Sequence, residues 1–521
     1  MRRLKIVFLV SLTLSLFSAK AQSVQEVKRN IELERIQKAK SIANELVRKE
    51  PKNPEYRCLL ANVLLMTNSK DSANLIIEEG IRNNSKYALY YVAAGKINLA
   101  SKRDAGAKVN FDKALAMTKS KDPEIYAAIG EAYIGTDNKN IDLAILNFET
   151  AIYKDPKNSR YFHLLGDAYY EKNDGTKAIE NYKKALAMDA KNPALYLKIG
   201  NVYTRAKNFE EGIKFYKQGM EIDPDYILFY RQMGDLYYRA KQYDKAIASF
   251  KKYVDNTDKN NDNDFRFASF LYLNQDFEGA LKIFNQLESK GYQNIILTRL
   301  LAYTHFDSGN TEKGLEYMDK YWKSVPEKMI ISSDYEYYGK MFLKNGNDSL
   351  GILNIDKAVA LDSSRVDLLS ELANQFFTSQ KYIQAAKQFE KKMKFVEPSA
   401  QDYLNLGKSY YYGKDFAKAD SSFQLITEAL PTSPTGYIWR ARANYNMEAT
   451  QEREKAKPFY EKVIELTSSE PEKYTKELVD SYSYLGYYYA LKKDKVKSED
   501  YWNKVLVLDP NNKYAKQVLK K

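Results

Sequence analysis

Few residues of this chain are of types that carry out chemistry, and their spacing breaks each site they approach. Gly407-Lys408-Ser409 matches the tail of a phosphate-cradling loop. Such a loop needs another glycine five residues before Gly407, where this chain has Asp402, and a strand before it, where the pattern is helical. The run Asp255 to Phe265, DNTDKNNDNDF, is the densest set of oxygen ligands. A calcium-loop register from Asp258 places Asn260 and Asp262 correctly, then offers Asn263 in place of glycine and Ser269 in place of a bidentate glutamate. It reads as a solvated loop. Two histidines, His163 and His305, and one cysteine, Cys58, are too few for a His- or Cys-based metal site. No G-x-S-x-G elbow is present, and no carboxylate pair is singled out by spacing for glycoside hydrolysis. The expectation is no catalytic, cofactor-binding or metal-binding residue, and no enzyme.

The N-terminus speaks to compartment. Arg2, Arg3 and Lys5 precede the uncharged run Ile6 to Phe17, and Ala19-Lys20-Ala21 follows. That is the order of a secretory signal, cleaved after Ala21 to leave Gln22 first. The apolar run is too short to span a bilayer as a stable helix, and no later stretch is long enough. No cysteine follows the cleavage site to take a lipid anchor. Export is predicted, to the periplasm or envelope of a Gram-negative bacterium. Losing Arg2, Arg3, Lys5 and Lys20 lowers the formal charge from +13 to +9, spread along the chain. Such lysines read as solvated helix faces, so no nucleic-acid partner is expected. Apolar residues at 44% and charged residues at 29% describe a folded chain, and 44 of the 521 residues are tyrosine. Cys58, in RCLLANVLLM, reads as a packed thiol.

A period organises the rest. Small residues head aromatic-bearing helices at Ala61, Gly95, Gly130, Gly166, Gly200, Gly234, Ala268, Ala302, Gly339, Ala373, Gly407, Ala441 and Gly486. From Gly166 to Ala302, and again from Gly339 to Ala441, the interval is 34 residues. Each unit reads as two helices. Between Arg160 and Pro193, Leu165, Ala168 and Tyr169 recur at helical spacing, Asn173-Asp174-Gly175 marks a turn, and Ala178, Tyr182 and Ala185 mark a second helix. Prolines 156, 193, 224, 326, 431 and 510 fall at unit boundaries, where a helix cannot continue.

The segments LGDAYY…KAIENYKKAL, IGNVYT…EGIKFYKQGMEIDP, MGDLYY…KAIASFKKYV and LGKSYY…KADSSFQLITEALP resemble the tetratricopeptide repeat. The likeness covers nearly the whole mature chain. It implies an all-α, right-handed superhelical solenoid of about thirteen helix–turn–helix units. Departures are His305 for an aromatic, Gly212 and Gly219 for alanine, and a stretched interval from Ala441 to Gly486. The expected organisation is a signal peptide over 1–21, a degenerate helical repeat over 22–54, arrays over 55–327 and 328–431, and C-terminal repeats with insertions over 432–521.

A single unit cannot bury its apolar stripe, so units stack and their first helices line a concave face. The inward register of those helices holds Arg160, His163, Asp167, Tyr170, Arg231, Asp235, Tyr238, Arg239, Arg299, Tyr303, Lys340, Lys408, Tyr411, Arg442, Tyr445 and Tyr487. These are the candidate partner-binding residues, rich in the tyrosine and arginine of binding hot spots. A two-asparagine carboxylate clamp of the family is incomplete here: Asn374 and Asn405 have the separation, but Ser370, Thr435 and Trp439 stand where basic residues belong. In the tyrosine run Tyr482 to Tyr489, Tyr482 and Tyr489 fall on packing positions, Tyr487 on the groove, and Tyr484 and Tyr488 on neither clearly. The resulting expectation is a non-catalytic exported scaffold binding a protein or peptide with acidic segments. The alternative is a glycan-binding protein with tyrosines as stacking faces.

Overall fold

The computed structural model describes residues 23–448 and 453–519. The signal segment and its cleavage point after Ala21 lie outside the described residues. So do residues 449–452 of the C-terminal insertion. Every regular element among the described residues is a helix, and consecutive helices pair. None is long and apolar enough to cross a membrane. The chain divides into two units, one up to Leu300 and one from Leu301.

The pair Ser159–Glu171 and Gly175–Met188 shows how the sequence makes a unit. Asn158 and Asp174 cap the two helices, their side chains accepting the N–H groups of Arg160 and Lys177. Asn173, between them, has φ 63°, in the left-handed region. The next N–H, of Asp174, reaches back to the Tyr169 carbonyl at 2.9 Å and closes the first helix. The helices then meet at Gly166, where a Cβ would stand 2.5 Å from the Tyr182 ring. Tyr182 is fully buried. Gly200 against Tyr216, and Gly407 against Phe423, repeat the contact.

The left-handed turn residue keeps its own period. In the first unit it falls at Glu34, Asn68 and Lys102, then at Asn173, Lys207, Lys241 and Gln275. In the second it falls at Gly309 and then at Gly346, Gln380 and Lys414. A left-handed non-glycine residue costs roughly 1–2 kcal/mol, and the carbonyl satisfied at each turn offsets it. Glu34 shows that the N-terminal segment is built like the others. A helix over residues 23–32 and the helix Ile36–Lys49 form a pair, and the Arg35 N–H closes on the Asn30 carbonyl at 2.8 Å. Val27, Ala39 and Ala43 are fully buried between this pair and Tyr56 and Leu60 of the following one.

In the second unit, the tyrosine run lies on the helix Thr475–Leu491. Tyr484 and Tyr488 are buried, Tyr484 stacking on Tyr460 at 4.4 Å. Tyr489 is half-buried and stacks on Tyr501 at 5.7 Å. Tyr487 is the exposed member. His305 is buried, parallel to the Tyr317 ring at 5.4 Å. In the first unit, burial pushes the Cys58 thiol up to about 12, which favours its protonated form.

Candidate partner-binding faces

In the first unit, the first helices of three successive pairs, with Phe209 and Tyr216 of the second helix Phe209–Ile222, line a cavity of about 510 Å³. Tyr170 comes from Ser159–Glu171; Asn201, Thr204 and Arg205 come from Pro193–Arg205; Arg231, Asp235 and Arg239 come from Leu228–Arg239. The Arg205 guanidinium lies 3.4 Å from the Tyr170 ring centre and donates to the Tyr170 carbonyl at 2.8 Å. Asn201 and Thr204 hold the Tyr216 hydroxyl, which donates to Asn201 Oδ1 at 2.7 Å. Asp235 lies 2.5 Å from Arg266, and burial pushes its carboxyl up against the opposing pull of Arg266, Arg231 and Arg239. Arg239 is exposed and has neither a hydrogen bond nor an ion pair among the described residues. Tyr238, next to it, does not line this cavity and stacks on Phe270 at 5.0 Å.

Elsewhere on the Ser159–Glu171 helix, the same face is internally neutralised. Arg160 binds Glu124 at 2.9 Å and also Glu131. Asp167 accepts the Tyr182 hydroxyl at 2.7 Å and pairs with Lys198 at 2.9 Å. Burial would raise the Asp167 carboxyl, but Lys198, His163 and Tyr182 hold it below its usual range. His163 packs edge-on against Tyr182, 3.8 Å from Asp167, and burial pushes its pKa down against that carboxylate. These three residues are each engaged with a neighbouring side chain. Arg299 is half-buried in its helix.

The second unit answers differently. Tyr303 is buried, stacked on Tyr337 at 3.8 Å and donating to Asp334 at 2.6 Å, so it is withdrawn from any groove surface. Asp334, buried at the start of the next first helix, also accepts the Tyr321 hydroxyl at 3.1 Å and the Ile331 N–H at 2.8 Å. Lys340 binds Glu336 at 2.7 Å and Glu371 at 3.5 Å; burial opposes its charge, but these carboxylates carry its pKa up. Lys408 and Arg442 converge on Trp439, at 5.2 and 4.9 Å from its ring centre, and Tyr411 meets the same ring edge-on at 5.4 Å. Arg442 also binds Asp480 at 2.8 Å. Tyr445 lies beneath Arg453 at 3.8 Å.

Thus Tyr170, Arg231, Asp235 and Arg239 come together as one wall, while Lys408, Tyr411 and Arg442 gather around Trp439. Sequence reasoning missed three participants. Arg205 stands 34 residues before Arg239, so the period itself could have found it. Trp439 stands two residues before Ala441, on the same helix as Arg442. Glu34 carried no signal for its partners.

Those partners make the longest-range contact of the first unit. Glu34 accepts from Arg231 Nη1 at 2.6 Å and from the Tyr253 hydroxyl. Its carbonyl accepts the Asp258 N–H at 3.3 Å. Arg35 donates to the Asn256 carbonyl at 2.8 Å, and the Gln37 N–H donates to Asp258 Oδ2 at 2.7 Å. Arg29 lies over the Tyr226 ring at 4.7 Å and pairs with Asp223. Leu33 is buried in the apolar cluster of Leu197, Tyr226 and Phe229. The Asp255–Phe265 run, read from sequence as a solvated loop, is therefore partly a shelf for this N-terminal turn. No group of three or more His, Cys, Asp or Glu side chains among the described residues could hold a metal ion.

A family model described as TPR repeat matches residues 166–207, and models described as tetratricopeptide repeat match residues 193–226, 230–256 and 403–433. The C-terminal part of a TPR repeat-containing protein from Cytophaga hutchinsonii is 35% identical, over 49% of this chain and 100% of that one, with a TM-score of 0.38. A tetratricopeptide repeat protein from Parabacteroides merdae is 19% identical over 46% of this chain and 93% of its own, with a TM-score of 0.33. The pilF protein of Pseudomonas aeruginosa is 18% identical over 40% of this chain and 95% of its own, with a TM-score of 0.36. No curated protein matches the chain.

Proposed function

This chain belongs to the tetratricopeptide repeat family, and on that premise we propose that it is a non-catalytic scaffold whose first unit holds an acidic segment of a protein partner. The observation that carries the reading is the cavity walled by Tyr170, Arg205, Arg231 and Arg239, with Arg239 uncommitted. Arginine offers forked donors for carboxylates, and tyrosine offers area with a polar tip. A larger hollow of about 590 Å³ is lined mainly by second-helix residues, Lys183, Leu186, Lys214, Phe215 and Glu221 among them, with Tyr196 from a first helix. Its lining holds no arginine, so we place the partner in the arginine-walled cavity of the first helices. The order of residues 2–21 supports export, with cleavage after Ala21 into a periplasm or envelope.

Glycan stacking is the weaker reading, because the tyrosines it would use are covered on one face. Arg205 covers Tyr170, Phe270 covers Tyr238 and Arg453 covers Tyr445.

The test uses a fluorescein-labelled dodecapeptide rich in glutamate with two phenylalanines, titrated with the mature chain and followed by anisotropy. Arg239→Glu should weaken binding by at least about tenfold. Lys183→Glu, on a second helix, should leave it unchanged. The opposite pattern, or no saturable binding, rejects the reading.

A further inference from the structure

We propose that the N-terminal turn Leu33-Glu34-Arg35 is an internal occupant of a binding site for acidic protein segments, and that a partner gains the site by displacing it. The proposal rests on the acidic-segment reading above and adds to it a specific slot and a gate.

The contacts of the turn are those of a bound peptide. The carboxylate of Glu34 is held at two points, by Arg231 and by the Tyr253 hydroxyl, which also accepts from Asn263 Nδ2 at 3.2 Å. Main-chain groups are read as well: the Glu34 carbonyl by Asp258, and the Gln37 N–H by the Asp258 carboxylate. Leu33 fills an apolar slot beside Leu197 and Tyr226. One acidic side chain, one aliphatic neighbour and two main-chain bonds make a recognition pattern that another chain could supply.

Comparison of the turns supports the idea independently. Among the described non-glycine residues with left-handed φ, Glu34 is the only acid. Asn173, at the equivalent place, bonds Arg205, 32 residues away, whereas Glu34 bonds Arg231, 197 residues away. Nothing in the repeat requires an acid there, since asparagine, lysine, glutamine and glycine all serve.

The contact is also poised for release. The side chains of Arg231 and Glu34 keep 29% and 39% of their exposure. A partly exposed pair is screened in part by water and salt. Arg231 belongs to the cavity wall too, so departure of Glu34 would give the cavity a second arginine free of a carboxylate partner on that turn, beside Arg239 and held by the Tyr253 hydroxyl at 3.4 Å. A site occupied internally for 90–99% of the time loses about ten- to a hundred-fold in apparent affinity. That loss is the signal to look for.

The experiment uses the full mature chain and a fluorescein-labelled peptide copying residues 29–38. Wild type should bind it weakly. Glu34→Ala should bind it at least about tenfold more tightly, with faster hydrogen exchange at residues 33–37. Adding Arg231→Ala to Glu34→Ala should abolish saturable binding. Equal affinity in wild type and Glu34→Ala, or binding that survives loss of Arg231, overturns the proposal. If the copied peptide fails on Glu34→Ala while the glutamate-rich dodecapeptide still binds through Arg239, this inference falls and the functional reading stands. If neither peptide binds, both fall.

Discussion

Glu34 and Arg231 are 197 residues apart in sequence and 2.6 Å apart in the first unit. No other repeat turn makes a contact of that reach among the described residues. It joins the turn of the first helix pair to the first helix of the seventh.

Removing this contact should loosen the turn without unfolding the unit. Because the pair is partly exposed, Glu34→Ala should cost about 1 kcal/mol. Urea denaturation measures the loss. A loss above about 4 kcal/mol would put the turn in the structural core and count against a displaceable occupant.

Tyr182 marks the opposite extreme. It is fully buried against Gly166, and its hydroxyl donates to half-buried Asp167. Tyr182→Ala should cost about 3–5 kcal/mol through the cavity it leaves. Units of a repeat array depend mainly on their neighbours. Hydrogen exchange should therefore quicken across residues 159–205 and stay at wild-type rates in Ala400–Ala429. Equal acceleration in both places would contradict nearest-neighbour stability.

His163 gives a pH signature. Burial depresses its folded pKa below the usual 6.5. The unfolded chain then takes up the proton first, so this contribution is complete above about pH 6.5 and is lost as pH falls from there through the folded value. Asp167, also depressed, adds a loss at lower pH, from about 3.8 through its own folded value. With only two histidines in the chain, the imidazole resonances can be assigned by a His163→Asn variant. A His163 titration midpoint at or above 6.5 would refute the assignment.

Trp439 should matter beyond its own packing. Lys408, Arg442 and Tyr411 all rest on its ring. Trp439→Ala should destabilise the second unit by about 3–5 kcal/mol, whereas Trp439→Phe should retain more than half of that stability. Thermal unfolding followed by circular dichroism distinguishes the two. Equal losses in both variants would show that the larger indole is specifically required.

The sequence by itself determined the helix pair and its period. Gly166 with Tyr182, and Asn173 in the turn, are local requirements: a close helix crossing needs a small residue and a filler, and a tight turn needs a residue that tolerates left-handed φ. Such demands recur every unit and leave a visible pattern. That Tyr170, Arg231, Asp235 and Arg239 of the first-helix register line one cavity follows from the same period. What the register could not tell was occupancy. Tyr303 and Asp167 share that register, yet each is consumed by a buried neighbour, Asp334 for one and Tyr182 with Lys198 for the other. Partner choice within a packed interior depends on which polar groups must be satisfied there, and that depends on neighbours from other helices. Glu34 is the furthest case. Its place in the turn follows from a 34-residue period, but its bond to Arg231 follows from how successive units accumulate rotation until distant turns meet. Small rotations summed over many units lie in the tertiary structure and in no single repeat's residues.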